Sequence, residues 1–405
     1  MANESSLNNE VSNINMVFNP RLNRRTLLSY GAIAATSLLL QPPSWAANLA
    51  PYKGPNIILI RFGGGVRRRE TINPEHTYAP FLRHVLAQQG TLFTQMELDQ
   101  IEGVTTSHGE GTLYLLTGKY GGFINSGGFG DRFESRVPTL FEYLRKNFAV
   151  QDHQVLLINS EDRTSEEFFS FSNHHLFGVN YRCQVLSLYR FKVYRLRQQI
   201  EAGYFQGQEL QQKTKELQKL ENLDYRNPGR YVYTPQLSRF WEQWYQYYGD
   251  SGLVNPRGDR VLTELAVWAL QRLRPKFLMV NYNDPDYVHW GFPAHYTNGI
   301  AIIDRGIQRI FETVSADAEY RDNTIFCIVP DCGRDSNQFL SIPFQHHFNS
   351  RSAHEIFALF VGKGIRKNQI IERKVSQIDV APTLAKLMGF KADYAEGNIL
   401  EEVFV

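Results

Sequence analysis

From residue 56 onward the chain alternates short apolar runs with longer segments whose apolar residues recur every three or four positions. Alternation of that kind is the pattern of a buried parallel sheet with helices on both faces. Residues 56–61 read as the first strand, 78–89 as a helix stopped by Gly90, and 139–148 as a helix entered through Pro138. Residues 154–158 form a short apolar run of strand type. Asp259 is placed to cap a helix reaching about residue 274, in which Val261, Leu262, Leu265, Trp268, Ala269 and Leu273 share one face. Pro275 separates it from a strand at 276–281; further strands are expected at 323–329 and 356–361, and a last helix at 376–388 closed by Gly389. The predicted fold class is therefore α/β: an α/β/α sandwich with a mostly parallel central sheet.

Between about residues 171 and 255 the strand signals thin out, and the segment reads as a helical insertion. Tyr189, Phe191 and Tyr194 lie among basic residues, and Leu210, Leu217, Leu220 and Leu223 suggest a second helix after the turn at 203–207. A packed helical subdomain and a cap over a site both fit this spacing.

The first 47 residues read as an address. Arg24 and Arg25 precede an apolar stretch at 27–40, shorter than the roughly 20 residues that span a bilayer, and Ser44-Trp45-Ala46 offers small residues for cleavage. The combination resembles a twin-arginine signal, which implies the twin-arginine export machinery as a partner and a periplasmic or otherwise extracytoplasmic location. A domain of residues 48–405 would follow, and no later segment is apolar enough for a stable membrane span. With 405 residues and 42% hydrophobic content the chain can bury a large core. Lys and Arg total 43 against 41 Asp and Glu, so no bulk field favours nucleic acid. Cys183, Cys327 and Cys332 make no disulfide framework; the last two flank a strand about 16 Å long, beyond the reach of a bridge.

In open parallel sheets, chemistry gathers beyond the C-terminal ends of the strands. Asp284, Asp286 and His289 follow one strand, Asp331, Cys332 and Arg334 follow another, and His346, His347 and His354 lie further on. Carboxylate, imidazole and thiolate suit zinc, with calcium or manganese as the other divalent ions to consider. Taken singly, an Asp after a strand is more often a turn former or helix cap than a ligand, and a lone His is usually a satisfied polar residue; their recurrence at successive strand ends carries the signal. The Gly63-Gly64-Gly65 turn fits neither a dinucleotide fingerprint nor a P-loop, and suits backbone amides approaching an oxyanion.

Several segments, in order, resemble the alkaline phosphatase and sulfatase superfamily. Pro55-Asn56-Ile57-Ile58-Leu59-Ile60 is similar to its opening strand, and Leu115-Leu116-Thr117-Gly118-Lys119-Tyr120 to the turn after its nucleophile. Asp286 with His289, then Asp331-Cys332-Gly333-Arg334, resemble its metal-binding segments, and Ile378 to Leu384 its closing helix. The resemblance implies a metal held by Asp286, His289 and His347, with Asp284, His346 and His354 as substitutes. It implies a second metal whose ligands are altered here, since Gly63 stands where an Asp is expected and Cys332 where a His is. The nucleophile position falls on His108, with Ser107 and Thr106 beside it.

Three readings of the altered half follow. His108, Asp331 and Cys332 could form a different metal site; Arg67, Arg68 and Arg69 could replace the ion by binding phosphate or sulfate; or the protein could be a non-catalytic binder. The reading adopted is a metal-dependent hydrolase or transferase for a small anionic phosphate or sulfate ester. In it Ser107, His108 or Thr106 attacks, while Arg67, Arg68, Gly63 and Gly64 hold the anion and Asp286, His289, Asp331, Cys332, His347 and His346 serve as metal ligands.

Overall fold

The structure is a computed structural model that describes residues 49–125, 133–159, 167–222, 233–250, 258–289, 291–335, 343–346 and 350–405. The signal expected at residues 1–47 lies outside the described residues.

Strand β1 (Asn56–Arg61) is buried at every position, because sheet neighbours flank it on both sides and helices cover both faces. It runs parallel to β7 (Phe277–Asn281) and to β8 (Thr324–Val329), with Arg61 opposite both Asn281 and Val329. That register brings three strand ends side by side, so the chain leaving each one enters a common space. Among the described residues the sheet has nine strands, in the order β10, β2, β9, β8, β1, β7, β5, β6, with β11 paired to β2. The outer members are β2 (Gly90–Glu97), β5 (Val155–Asn159), β6 (Gln184–Leu186), β9 (Glu355–Gly362), β10 (Gln369–Ile371) and β11 (Val375–Ser376). Pairing is parallel except for β9, which runs antiparallel to both β2 and β8. A separate hairpin joins β3 (Phe123–Asn125) and β4 (Phe133–Ser135).

The covering helices are α1 (His108–Thr117), α2 (Leu140–Asn147), α3 (Leu188–Glu201), α4 (Gly207–Glu221), α5 (Pro235–Tyr248), α6 (Asp259–Arg272), α7 (Pro293–Ala316) and α8 (Val380–Met388). The apolar stripes of all but α4, which buries no residue, build two cores, one on each sheet face. Phe191 of α3 and Trp241 and Trp244 of α5 share a core with Leu262 and Leu265 of α6, so two helices of the expected insertion contribute to the main packing.

The predicted strands at 56–61, 154–158, 276–281, 323–329 and 356–361 appear within one residue at each end. The segment at 78–89 departs from the expected α-helix: a wide turn of π type covers Phe81–Leu86 and a tight 3-10 turn Ala87–Gln89. Gly90 does not end that segment in a loop but opens β2 directly. Asp259 is the first helical residue of α6, not its cap, and its carboxylate accepts the backbone N–H groups of Asn283 and Asp284 at 2.7–3.0 Å. That ties the start of α6 to the loop after β7. Cys183, Cys327 and Cys332 are all buried free thiols.

Candidate functional site

The glycine loop after β1 is glycine for steric reasons. A Cβ at Gly63 would overlap the carbonyl oxygen of Tyr282, and one at Gly64 (φ +82°) would lie 2.6 Å from the amide nitrogen of Asp286. The loop therefore lies flat against the segment after β7. Gly65 (φ +66°) approaches Gly333 after β8 in the same way, 2.8 Å from its carbonyl oxygen.

Helix α1 enters this space from the side. Ser107 caps it, its hydroxyl accepting the amide N–H of Glu110 at 3.2 Å. Gly111 sits one turn on, and a Cβ there would overlap the carbonyl of Asp331. That close approach sets His108, the first residue of α1, between two carboxylates. Its Nδ1 lies 2.8 Å from Asp331 Oδ2 and its Nε2 lies 2.8 Å from Asp286 Oδ1.

Asp286 Oδ1 is the hub. Besides His108 it faces His289 Nε2 at 2.9 Å, Arg334 Nη2 at 3.2 Å and His346 Nε2 at 3.5 Å. The His346 ring stands 4.1 Å from that of His108 and 5.0 Å from that of His289, centroid to centroid. Asp331 is fully buried. Its Oδ1 accepts the amide N–H groups of Cys332 at 2.9 Å and Gly65 at 3.4 Å, and its Oδ2 faces Arg61 Nη1 at 3.4 Å as well as His108. Cys332 Sγ lies 3.7 Å from His108 Nδ1.

Burial works against the charge of His108, but Asp286 and Asp331 outweigh it and raise the imidazole well above its ordinary value. Burial pushes the two carboxyls up, yet the charge of His108 and the hydrogen bonds of His108, His289 and His346 hold Asp286 well below the usual range, and His108 with Arg61 holds Asp331 at about 2. Burial drives the Cys332 thiol up to about 11, with Asp331 adding to the shift. The cluster has an open and a closed side: the side chains of Asp286, His108 and His289 are 16, 19 and 25% exposed, those of Asp331 and Arg334 are at 0% and that of His346 at 1%.

Two sets of side chains place their ligand atoms within 4.8 Å of one another: Asp286, His289 and His346, and His108, Cys332 and His346. Imidazole, carboxylate and thiol atoms grouped so tightly make up a donor set suited to a divalent ion.

The chain is similar to a protein in the alkaline phosphatase superfamily from Vibrio parahaemolyticus, at 17% identity and a TM-score of 0.50, over 95% of this chain and 80% of that one. It is similar to a phosphonate monoester hydrolase from Silicibacter pomeroyi, at 15% identity and a TM-score of 0.51, over 86% and 76% of the two chains. It is similar also to a mutant of the alkaline phosphatase PafA, at 11% identity and a TM-score of 0.53, over 88% and 100%. This is the alkaline phosphatase superfamily fold. No protein-family model matches the sequence, and no curated protein does.

Within that alkaline phosphatase fold, the sequence-predicted residues divide. Asp286, His289, His346, Asp331, Cys332 and His108 come together. Ser107 and Thr106 turn away: the Ser107 hydroxyl bonds Glu110 at 3.0 Å, and that of Thr106 reaches the carbonyl of His346. Arg67 and Arg68 are drawn off as well. Arg67 forms a two-pronged pair with Glu70 at 2.7 Å, and Arg68 donates to the carbonyls of Ile356 and Met96 at 2.7 Å. Gly63 and Gly64 pack their backbone against Tyr282 and the 283–286 segment. Asp284 accepts the amide N–H of Asp259, and the Nδ1 of buried His354 is 2.9 Å from the carbonyl of Leu98. His347 lies outside the described residues. Sequence reasoning overlooked Arg61 and gave Arg334 no role. Both are buried guanidiniums at the cluster, and the one available hint was an arginine closing an otherwise apolar run.

Proposed function

We propose that the chain is a divalent-metal-dependent hydrolase or transferase that acts on a phosphate or sulfate ester. The observation that carries this reading is Asp286 Oδ1, a carboxylate oxygen met by three imidazoles on the exposed side of a strand-end cluster. Such a convergence suits a cation. Asp286, His289 and His346 would hold the ion, and their one carboxylate and two imidazoles fit zinc. When bound, the ion would polarise an ester oxygen or make a bound water more acidic.

His108 would carry the transfer itself. Its Nδ1, held on the Asp331 carboxylate, fixes the ring, and its Nε2 is turned toward the open side at Asp286. An imidazole held protonated between two carboxylates is placed to act as a general acid, and would serve as nucleophile or general base only once its Nε2 proton has left. Arg334 supports the floor: it donates to the carbonyls of Gly64 and Gly65 and so fixes the loop whose amides would face the anion. Arg67 and Arg68 have no part in this reading, since their guanidiniums are already engaged elsewhere. We also propose export through the twin-arginine route, from Arg24 and Arg25 ahead of the apolar stretch at 27–40. Fusion of residues 1–47 to a reporter that works only after export would check it.

The test of function combines metal analysis of purified protein with turnover of aryl phosphate and aryl sulfate esters. Bound zinc with turnover, both lost in Asp286→Ala and His289→Ala, is the expected result. Folded protein with neither metal nor turnover would point instead to the binding role.

A further inference from the structure

We infer that the site takes a single divalent ion, and that Arg61 closes its second half to metal by standing in as a fixed cation. The inference rests on the functional reading above and goes beyond it by setting the number of ions and the residue that limits it.

The two candidate ligand sets share His346. Its Nδ1 lies 2.9 Å from the carbonyl of Thr106, a pure acceptor, so Nδ1 carries the proton and Nε2 has one lone pair to offer. One imidazole nitrogen cannot serve two ions, and the sets therefore exclude each other. The set on the open side, Asp286 and His289 with His346, can be reached from solvent; Cys332 in the other is fully buried.

A second ion would then need Asp331, and Asp331 is already taken. Its two oxygens are met by two amide N–H groups, by His108 and by Arg61, which fills the acceptor capacity of a carboxylate. Arg61 is fixed there. It donates to Thr112 Oγ1 at 2.8 Å, to the Tyr282 carbonyl at 3.1 Å and to Asn283 Oδ1 at 3.1 Å. Its buried Nε has no acceptor among the described residues, so the guanidinium is held in that place for something other than complete hydrogen bonding. The space it fills exists because residue 63 is glycine: a Cβ there would lie 2.7 Å from Arg61 Nε and 2.8 Å from Nη2. No side chain from that position can reach the site while Arg61 occupies it. Charge agrees with geometry. The first ion would take the Asp286 carboxylate on the open side, while the Asp331 carboxylate of the other half is already paired with Arg61 at 3.4 Å. A second dication would enter with no free anion to receive it.

The test counts zinc on the purified full chain after dialysis against excess zinc and then metal-free buffer. About one ion per chain is expected in the wild type and in Asp331→Asn, and less than about a tenth in Asp286→Ala. Arg61→Met, which keeps the side-chain bulk and removes the charge, should admit a second ion, whereas Arg61→Lys should remain at one. A purely structural role for Arg61 would leave the count unchanged in Arg61→Met. Two ions in the wild type, loss of metal in Asp331→Asn, or an unchanged count in folded Arg61→Met overturns the inference and leaves the functional proposal standing. No zinc on folded wild-type protein overturns both. Should Arg61→Met fail to fold, Arg61→Gln takes its place: two ions are again expected, and one ion on folded protein overturns the inference.

Discussion

Replacing Gly111 by alanine asks directly whether α1 is docked against the Asp331 segment as described. In an exposed helix the change would stabilise, because alanine is preferred over glycine in a helix interior by about 0.5–1 kcal/mol. Here the new methyl would overlap the Asp331 carbonyl oxygen and lie 2.9 Å from its carbonyl carbon. Both atoms belong to the backbone, so neither can swing aside as a side-chain tip would. Overpacking of this kind costs about 1–3 kcal/mol. The net effect is a loss of about 1–2 kcal/mol, opposite in sign to the helix preference, or a fall in Tm of about 1–3 °C. The shift would also move His108, three residues earlier on α1, away from Asp331, so turnover should fall further than stability does. Thermal and urea unfolding of Gly111→Ala would measure it against Gly121→Ala, where an added Cβ meets nothing within 4 Å and stability should change by less than about 0.5 kcal/mol. A Gly111→Ala protein as stable as the wild type, or more so, would refute the docking.

Glu142→Ala should cost about 2–4 kcal/mol in urea unfolding, since its carboxylate accepts the N–H groups of Thr139 and Gly178 at 2.7 and 2.8 Å and the Ser172 hydroxyl at 2.8 Å. None of the three thiols should react with an aromatic disulfide reagent at pH 8 in the native protein, and all three should react after unfolding. Burial holds Cys332 at about 11, so roughly one in a thousand of its thiols is ionised at that pH. By the same shift the folded state binds the Cys332 proton more tightly than the unfolded state, so this residue's contribution to stability declines as pH rises from about 8.5 to 11. Arg67→Gln should change KM for an aryl ester less than about twofold, its guanidinium being bound to Glu70; a tenfold rise would return the arginine triplet to the anion site.

The central strands were legible because their environment is uniform: β1, β7 and β8 are buried throughout, and such strands read as unbroken apolar runs. Strand β2 was hidden because no loop residues separate it from the 3-10 turn at Ala87–Gln89, so Gly90 looked like a helix stop. The site was legible as a set of residue types at strand ends, and Asp286, His289, Asp331 and His346 do meet there. Which hydroxyl or imidazole faces inward was not, since that depends on where α1 is capped: the bond from Glu110 to Ser107 turns the serine out and His108 in. The arginines show the same limit. Three adjacent ones, Arg67 to Arg69, attracted attention, whereas Arg61 gained its place only from the register that sets it opposite Asn281 and Val329, information that resides in the sheet.

Crystals grown with zinc, measured on both sides of the zinc absorption edge, would test the central claim most directly. The account predicts one anomalous peak, bounded by Asp286, His289 and His346, with the Arg61 guanidinium still beside Asp331. A peak anywhere else, or none at that carboxylate, would contradict it.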